Sequence, residues 1–167
     1  DDNASGTAAI LEIAEALASM KVKPRRSVLL AAWGAEERGL IGSRAFGRNP
    51  PIPKDKIVAY LNLDRISRND PKSISILSAS ADPKTWAGEG AGLNGFETRK
   101  MAGFFLLASD SGDFVKIGIP TVGFFAGMHG DYHKSTDDPD TIDAGKAARV
   151  ARTAFEVVIR AANADDP

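Results

Sequence analysis

The chain has 167 residues, 43% hydrophobic and 26% charged, which is the make-up of one globular domain and not of a disordered segment. Twenty-one basic against 22 acidic residues leave a net charge of −1, so no basic field exists for nucleic acid or an anionic membrane. Cysteine is absent, which excludes disulfides and thiolate metal sites, and no apolar run reaches the roughly 18 residues of a membrane span.

The chain opens with Asp1-Asp2-Asn3 directly before a helical pattern and is expected to be a fragment or processed piece of a longer protein. Ile10, Ile13, Leu17 and Met20 recur at helical spacing, with Ser5 as the expected cap. Ser27–Trp33 (SVLLAAW) is a continuous apolar run of strand length, the pattern of a strand covered on both faces. Gly34 ends it, and Glu36-Glu37-Arg38 leads into a second helix through Ser43, Ala45 and Phe46. Ile57–Leu63 predicts a buried strand closing on Asp64, and Ser73–Leu77 predicts a third. Glycines 88, 90, 92 and 95 predict loops around short elements between Ser78 and Gly103. A helix over Asp110–Ile117, a strand over Thr121–Ala126 and an amphipathic helix from about Asp143 to Ala162 complete the pattern. Apolar strands alternating with helices predict an α/β three-layer sandwich with a mostly parallel central sheet and helices on both faces, in a single domain over residues 1–167.

In such a sheet, ligands gather beyond the carboxyl ends of the strands. Glu36 and Glu37 follow the first expected strand, Asp64 closes the second, and His129 and His133 follow the last, while Asp2 precedes the first helix. Each has an ordinary explanation taken alone: a helix-end aspartate, a solvated Glu-Glu pair, a turn aspartate, a loop histidine. Four acidic groups at one rim would repel one another unless cations neutralised them.

Four segments then carry a resemblance: Asp2-Asn3-Ala4-Ser5-Gly6, the run from Trp33 to Ser43 (WGAEERGLIGS), Asn62-Leu63-Asp64 and Asp131-Tyr132-His133. In this order they resemble the co-catalytic two-zinc aminopeptidases, the metallopeptidase family that includes bacterial leucyl aminopeptidases and aminopeptidase Y. Gly118-Ile119-Pro120, Asp137 and Asp140 also match. The resemblance implies a zinc-exopeptidase-like fold in which Asp2 bridges two zinc ions, Glu37 and His133 complete one site and Asp64 belongs to the other. It makes Glu36 the general base and Tyr132 a donor to the developing oxyanion. It leaves His129 without a metal role, and Gly130 argues against a helical His129–His133 pair.

The resemblance has two departures. The family's further histidine ligand lies in a His-x-Asp segment upstream of the bridging aspartate, and the two histidines here are both downstream of it. One zinc or none, weak or absent activity, and an exposed sheet edge open to self-association are therefore expected of this fragment. Ser111 stands where many relatives have the histidine of a Ser-Asp-His sequence. The implied activity is hydrolysis of the N-terminal residue from peptides with a free N-terminus, in a parent expected to be secreted or periplasmic. The alternatives are a non-catalytic binding ectodomain of the same fold, or a glutaminyl cyclase- or carboxypeptidase-type relative. No basic pocket for a substrate carboxylate can be assigned to Arg65, Arg68 or Arg99 from sequence.

Overall fold

The structure, a computed structural model, describes residues 1–165. The apolar spacing at the start becomes helix α1, Ala4–Ser19. Its cap is Asn3 and not Ser5: the Asn3 side chain accepts from Gly6 N at 3.2 Å, while the Ser5 hydroxyl, already inside the helix, donates to Asp1 O at 3.0 Å. The Asn3 amide also donates to Leu63 O at 2.8 Å, and its oxygen accepts Arg65 N at 3.1 Å. One side chain thus caps a helix and fastens it to the end of a strand.

The expected strand over Ser27–Trp33 does not form. A strand exists only where a neighbour completes its hydrogen-bond ladder, and strand β1, Tyr60–Asp64, is an edge strand paired with the last strand alone. The apolar run instead lines a cavity of about 1290 Å³ together with β1. Leu29 is 61% and Leu30 40% exposed, the opposite of a doubly covered strand. Helix α2 follows at Ile41–Arg48.

The sheet order is β1-β4-β2-β3, with β2 at Ser73–Ser78, β3 at Glu97–Arg99 and β4 at Thr121–Phe125. β1–β4 and β2–β3 run parallel and β2–β4 antiparallel, so the sheet is mixed with two of its three pairings parallel. β1 starts at Tyr60 and not at Ile57 because its ladder begins opposite Thr121, and upstream of Thr121 the partner chain turns at Gly118.

Between β2 and β3 the glycine-rich segment is not a set of loops but helix α3, Ala81–Leu93. A Cβ on Gly90 would lie 3.0 Å from a Glu156 carboxylate oxygen and 3.3 Å from Thr153 Cγ2, so Gly90 marks a close crossing with the last helix. That helix, α6 (Ala144–Asn163), is capped by Asp143, which accepts from Lys146 N at 2.8 Å. Two short helices, α4 (Phe104–Leu107) and α5 (Ser111–Lys116), precede β4.

Helices α1, α3 and α6 cover one sheet face, while α4 and α5 cover the other, with α2 packed on α5. Val122 and Phe124 point into the first core with Ile13, Ile74, Val150 and Val157; Phe125 points into the second with Leu77 and Leu106. This period-2 alternation on β4 puts apolar side chains on both faces, and each fully buried Val or Phe stabilises the fold by about 1.5–3 kcal/mol. The three-layer α/β sandwich is as expected.

Candidate metal centre

Three candidate residues converge beyond the end of β1. Asp2, Glu37 and His133 each offer one ligand atom, and these atoms all lie within 4.8 Å of one another. His133 Nε2 is 2.8 Å from Glu37 Oε1 and 3.4 Å from Asp2 Oδ2. Tetrahedral ligands about 2.0–2.2 Å from one zinc stand about 3.4 Å apart, so donor atoms no more than 4.8 Å from one another are within reach of sharing an ion through side-chain rotation. A nitrogen and two carboxylate oxygens are also the donor set that zinc, cobalt or manganese accepts. The residues fit a divalent cation.

The placement of each group has a local cause. Asp2 is held at the entrance to α1, where its backbone N–H donates to Asp137 Oδ2 at 3.0 Å. Glu36 and Glu37 occupy a single 3-10 turn, Glu36–Arg38, so the reading of them as strand-end residues gives way to a tight turn. Ala35 (φ 58°) and Leu40 (φ 59°) flank that turn, and Arg65 (φ 49°) and His133 (φ 57°) share the left-handed backbone that side chains rarely adopt. Such strain collects where surrounding structure over-determines a functional geometry.

Burial raises the Asp2 pKa, and the charges of Asp64 and Glu37 add to it against the opposing Arg65 and His133. Glu36 is pushed up to about 7, first by burial and then by Glu37, Asp110, Asp64 and Asp2. A carboxyl poised there can both take and return a proton near neutrality. Tyr132 stacks on the His133 ring at 3.7 Å, and burial raises its pKa, which keeps the phenol a hydrogen-bond donor.

Asp64 is close enough to raise the pKa values of Asp2 and Glu36, but it stands outside the three-donor cluster. Its oxygens accept from Arg65, Nε to Oδ1 at 3.1 Å and Nη2 to Oδ2 at 3.3 Å. His129 is likewise outside the cluster; its buried ring lies 3.8 Å from Asp1 Oδ2.

Sequence reasoning missed three contributors. Asp110 joins the acidic group: burial raises its pKa, opposed by a Ser43 hydrogen bond, and Asp64 raises it further. The Ser109-Asp110-Ser111 segment was the available signal, but its distance from Glu36 in sequence hid the contact. Arg65 and Arg68 are the other two. Arg68 donates to Asp137 Oδ1 at 3.1 Å and pairs with Asp131, bracketing the Tyr132–His133 loop from both sides.

The chain matches Peptidase family M28 over residues 1–158. It is 36% identical over 136 residues to "Leupeptin-inactivating enzyme 1" of Streptomyces exfoliatus, covering 81% of this chain and 30% of that protein. It is 32% identical over 178 residues to "Probable lipoprotein aminopeptidase LpqL" of Mycobacterium tuberculosis, covering 86% of this chain and 35% of that protein. The chain thus spans about a third of the length of these relatives. Among solved structures, an aminopeptidase from Aneurinibacillus sp. strain AM-1 superposes with a TM-score of 0.80 at 27% identity, covering 99% of this chain and 40% of that one. The LapA aminopeptidase of Legionella pneumophila gives a TM-score of 0.83 at 21% identity, over 99% of this chain and 47% of that one, which is a likeness of fold. With the match running through every segment that builds the three-donor cluster, the chain belongs to Peptidase family M28.

Proposed function

We propose that this chain carries the catalytic site of a zinc-dependent exopeptidase that hydrolyses the N-terminal residue of peptides. The observation that carries the reading is the convergence of Asp2, Glu37 and His133 on one point, with Glu36, held at about 7, in the adjoining position. Zinc in the aminopeptidases of similar fold supports the choice of metal, and one cation held by Asp2, Glu37 and His133 is the count the donor geometry supports.

When bound, zinc supplies Lewis-acid polarisation of the scissile carbonyl and makes water a stronger acid near neutral pH. Glu36 accepts the proton of the attacking water; the remaining hydroxide oxygen bonds the carbonyl carbon. The C–N bond then breaks, and Glu36 returns its proton to the leaving amine. The Tyr132 hydroxyl, protonated because burial raises its pKa, donates to the carbonyl oxygen as negative charge develops there. Asp110, whose charge helps to raise the Glu36 pKa, gives the site negative potential that a free amino terminus seeks. The cavity of about 1290 Å³ beside Glu36, Asp110 and Tyr132 has room for the substrate's first side chain.

Peptides with a free N-terminus are the proposed partners. Among the described residues no helix is long and apolar enough to cross a membrane. Export of the parent protein is proposed on the strength of the lipoprotein relative. The free edge of β1 is the proposed route of self-association, which scattering at rising concentration tests.

The function is tested by hydrolysis of aminoacyl anilides by the protein containing this chain, with Glu36→Ala as control. Release of anilide by the wild type and its loss in the variant is the expected result. Equal rates would remove Glu36 from the mechanism, and no hydrolysis by either would favour a non-catalytic binding role.

A further inference from the structure

Arg65 is a buried cation that the proposed chemistry leaves without a task. The residue is only 9% exposed, and its guanidinium spreads over both oxygens of Asp64 at 3.1 and 3.3 Å. Two rings clamp it from the sides, with the guanidinium carbon 4.6 Å from the Phe125 centroid and 4.4 Å from that of Tyr132. Nη1 reaches Met128 Sδ at 3.4 Å. The backbone is fixed as well: Arg65 N donates to Asn3 Oδ1 at 3.1 Å, its carbonyl accepts Ala126 N at 2.9 Å, and φ is 49°. Packing on several sides therefore sets the place of the charge, unlike that of a long surface side chain.

We propose that Arg65 is a built-in counter-cation, whose guanidinium occupies the Asp64 carboxylate and limits the centre to a single metal ion at Asp2, Glu37 and His133. The inference rests on the metal reading above and deepens it. A planar fork of donors matches the two oxygens of a carboxylate, and the guanidinium stays charged at every accessible pH. A second cation approaching Asp64 meets a carboxylate whose lone pairs are already engaged, next to a fixed like charge in a partly dehydrated site. Asp64 is thereby neutralised without a second ion, and the Tyr132 ring, pressed against the guanidinium face, is held beside His133. Arg65 is in this sense a positioning residue that also sets metal stoichiometry.

Calorimetric zinc titration of the metal-free chain, with bound zinc counted by elemental analysis, tests this on the wild type, Arg65→Met and Arg65→Gln. The wild type takes up one equivalent. Both variants gain a second binding event at least tenfold tighter than any second event in the wild type, and it disappears again when Asp64→Asn is added. Two equivalents of similar affinity in the wild type, or variants that titrate like the wild type, would overturn the role of Arg65 while leaving the three-donor site standing. Uptake by neither wild type nor variants would instead remove the metal site, and this inference with it. Should Arg65→Met fail to fold, Arg65→Gln, which removes the charge with a shorter polar side chain, decides the matter.

Discussion

Arg68 donates to one oxygen of Asp137 at 3.1 Å while the other oxygen of Asp137 accepts the backbone N–H of Asp2 at 3.0 Å. The two contacts tie the loop that carries His133 to the strap that carries Asp2, across a sequence separation of 135 residues. Arg68 is fixed in turn by Lys146, whose ammonium donates to the Arg68 carbonyl. Arg68→Ala is expected to weaken zinc binding about 10- to 100-fold, the usual effect of removing a group that orients ligands. Calorimetry on folded variant, with circular dichroism to show that helix content is retained, checks this.

Glu36→Gln is expected to retain zinc binding but lower hydrolysis by about 10²–10⁴-fold, since the amide cannot accept the proton. The same substitution has a stability signature in metal-free protein. The folded pKa of Glu36 is raised from 4.5 to about 7, so the folded state binds the extra proton between those values. Its contribution therefore turns unfavourable as pH rises from about 4.5 through 7. Urea melts at pH 5 and pH 7.5 should show Glu36→Gln gaining on the wild type at the higher pH. A constant difference would contradict the assigned shift.

Gly6→Ala should damage both fold and site. A Cβ there would lie 2.2 Å from the Leu63 carbonyl oxygen, which is backbone and cannot yield as a side-chain end would. Helix α1 must then lift from β1 and carry Asp2 with it. A loss of about 1–3 kcal/mol or more is expected from such overpacking, together with weaker zinc affinity. Thermal melts of the metal-free variant read the first effect separately from the second.

Lys146 is fully buried and donates to the carbonyls of Arg68 and Asp70. Lys146→Met removes the ammonium donor from the Arg68 carbonyl, at about 1–3 kcal/mol, while the Asp70 carbonyl keeps the Ser73 N–H at 3.2 Å. Burial lowers the folded Lys146 pKa from 10.5 to about 8, against the opposing Asp70 charge. The unfolded chain thus binds more protons between those values, and the wild type gains stability over the variant as pH rises from about 8 towards 10.5. At pH 7 the cost of burying the ammonium offsets part of the variant's loss. Melts at pH 7 and 9.5 should show the gap widening.

Much of this was legible in the sequence where local pattern and contact coincide. The heptad-like spacing of Ile10, Ile13 and Leu17, the apolar β4 and the amphipathic α6 each announce their element, because the core they face imposes the period. Ser27–Trp33 misled for the same reason: apolarity marks burial potential, whereas a strand also needs a ladder partner, which no local pattern contains. Gly90 in α3 read as a loop signal because its close approach to α6 is to residues some 60 positions downstream. In the site, the acidic and histidine donors could be found by residue type and motif. Arg65, Arg68 and Asp110 could not, since their roles come from charge and packing contacts with groups far away in sequence.

The central claim is that one divalent cation is held jointly by Asp2, Glu37 and His133. Diffraction from crystals grown with zinc, measured at the zinc absorption edge, tests it most directly. The account predicts an anomalous peak about 2.0–2.2 Å from one donor atom of each of these residues, and its loss in His133→Ala. A peak elsewhere, or one in the same place that survives the substitution undiminished, would contradict it.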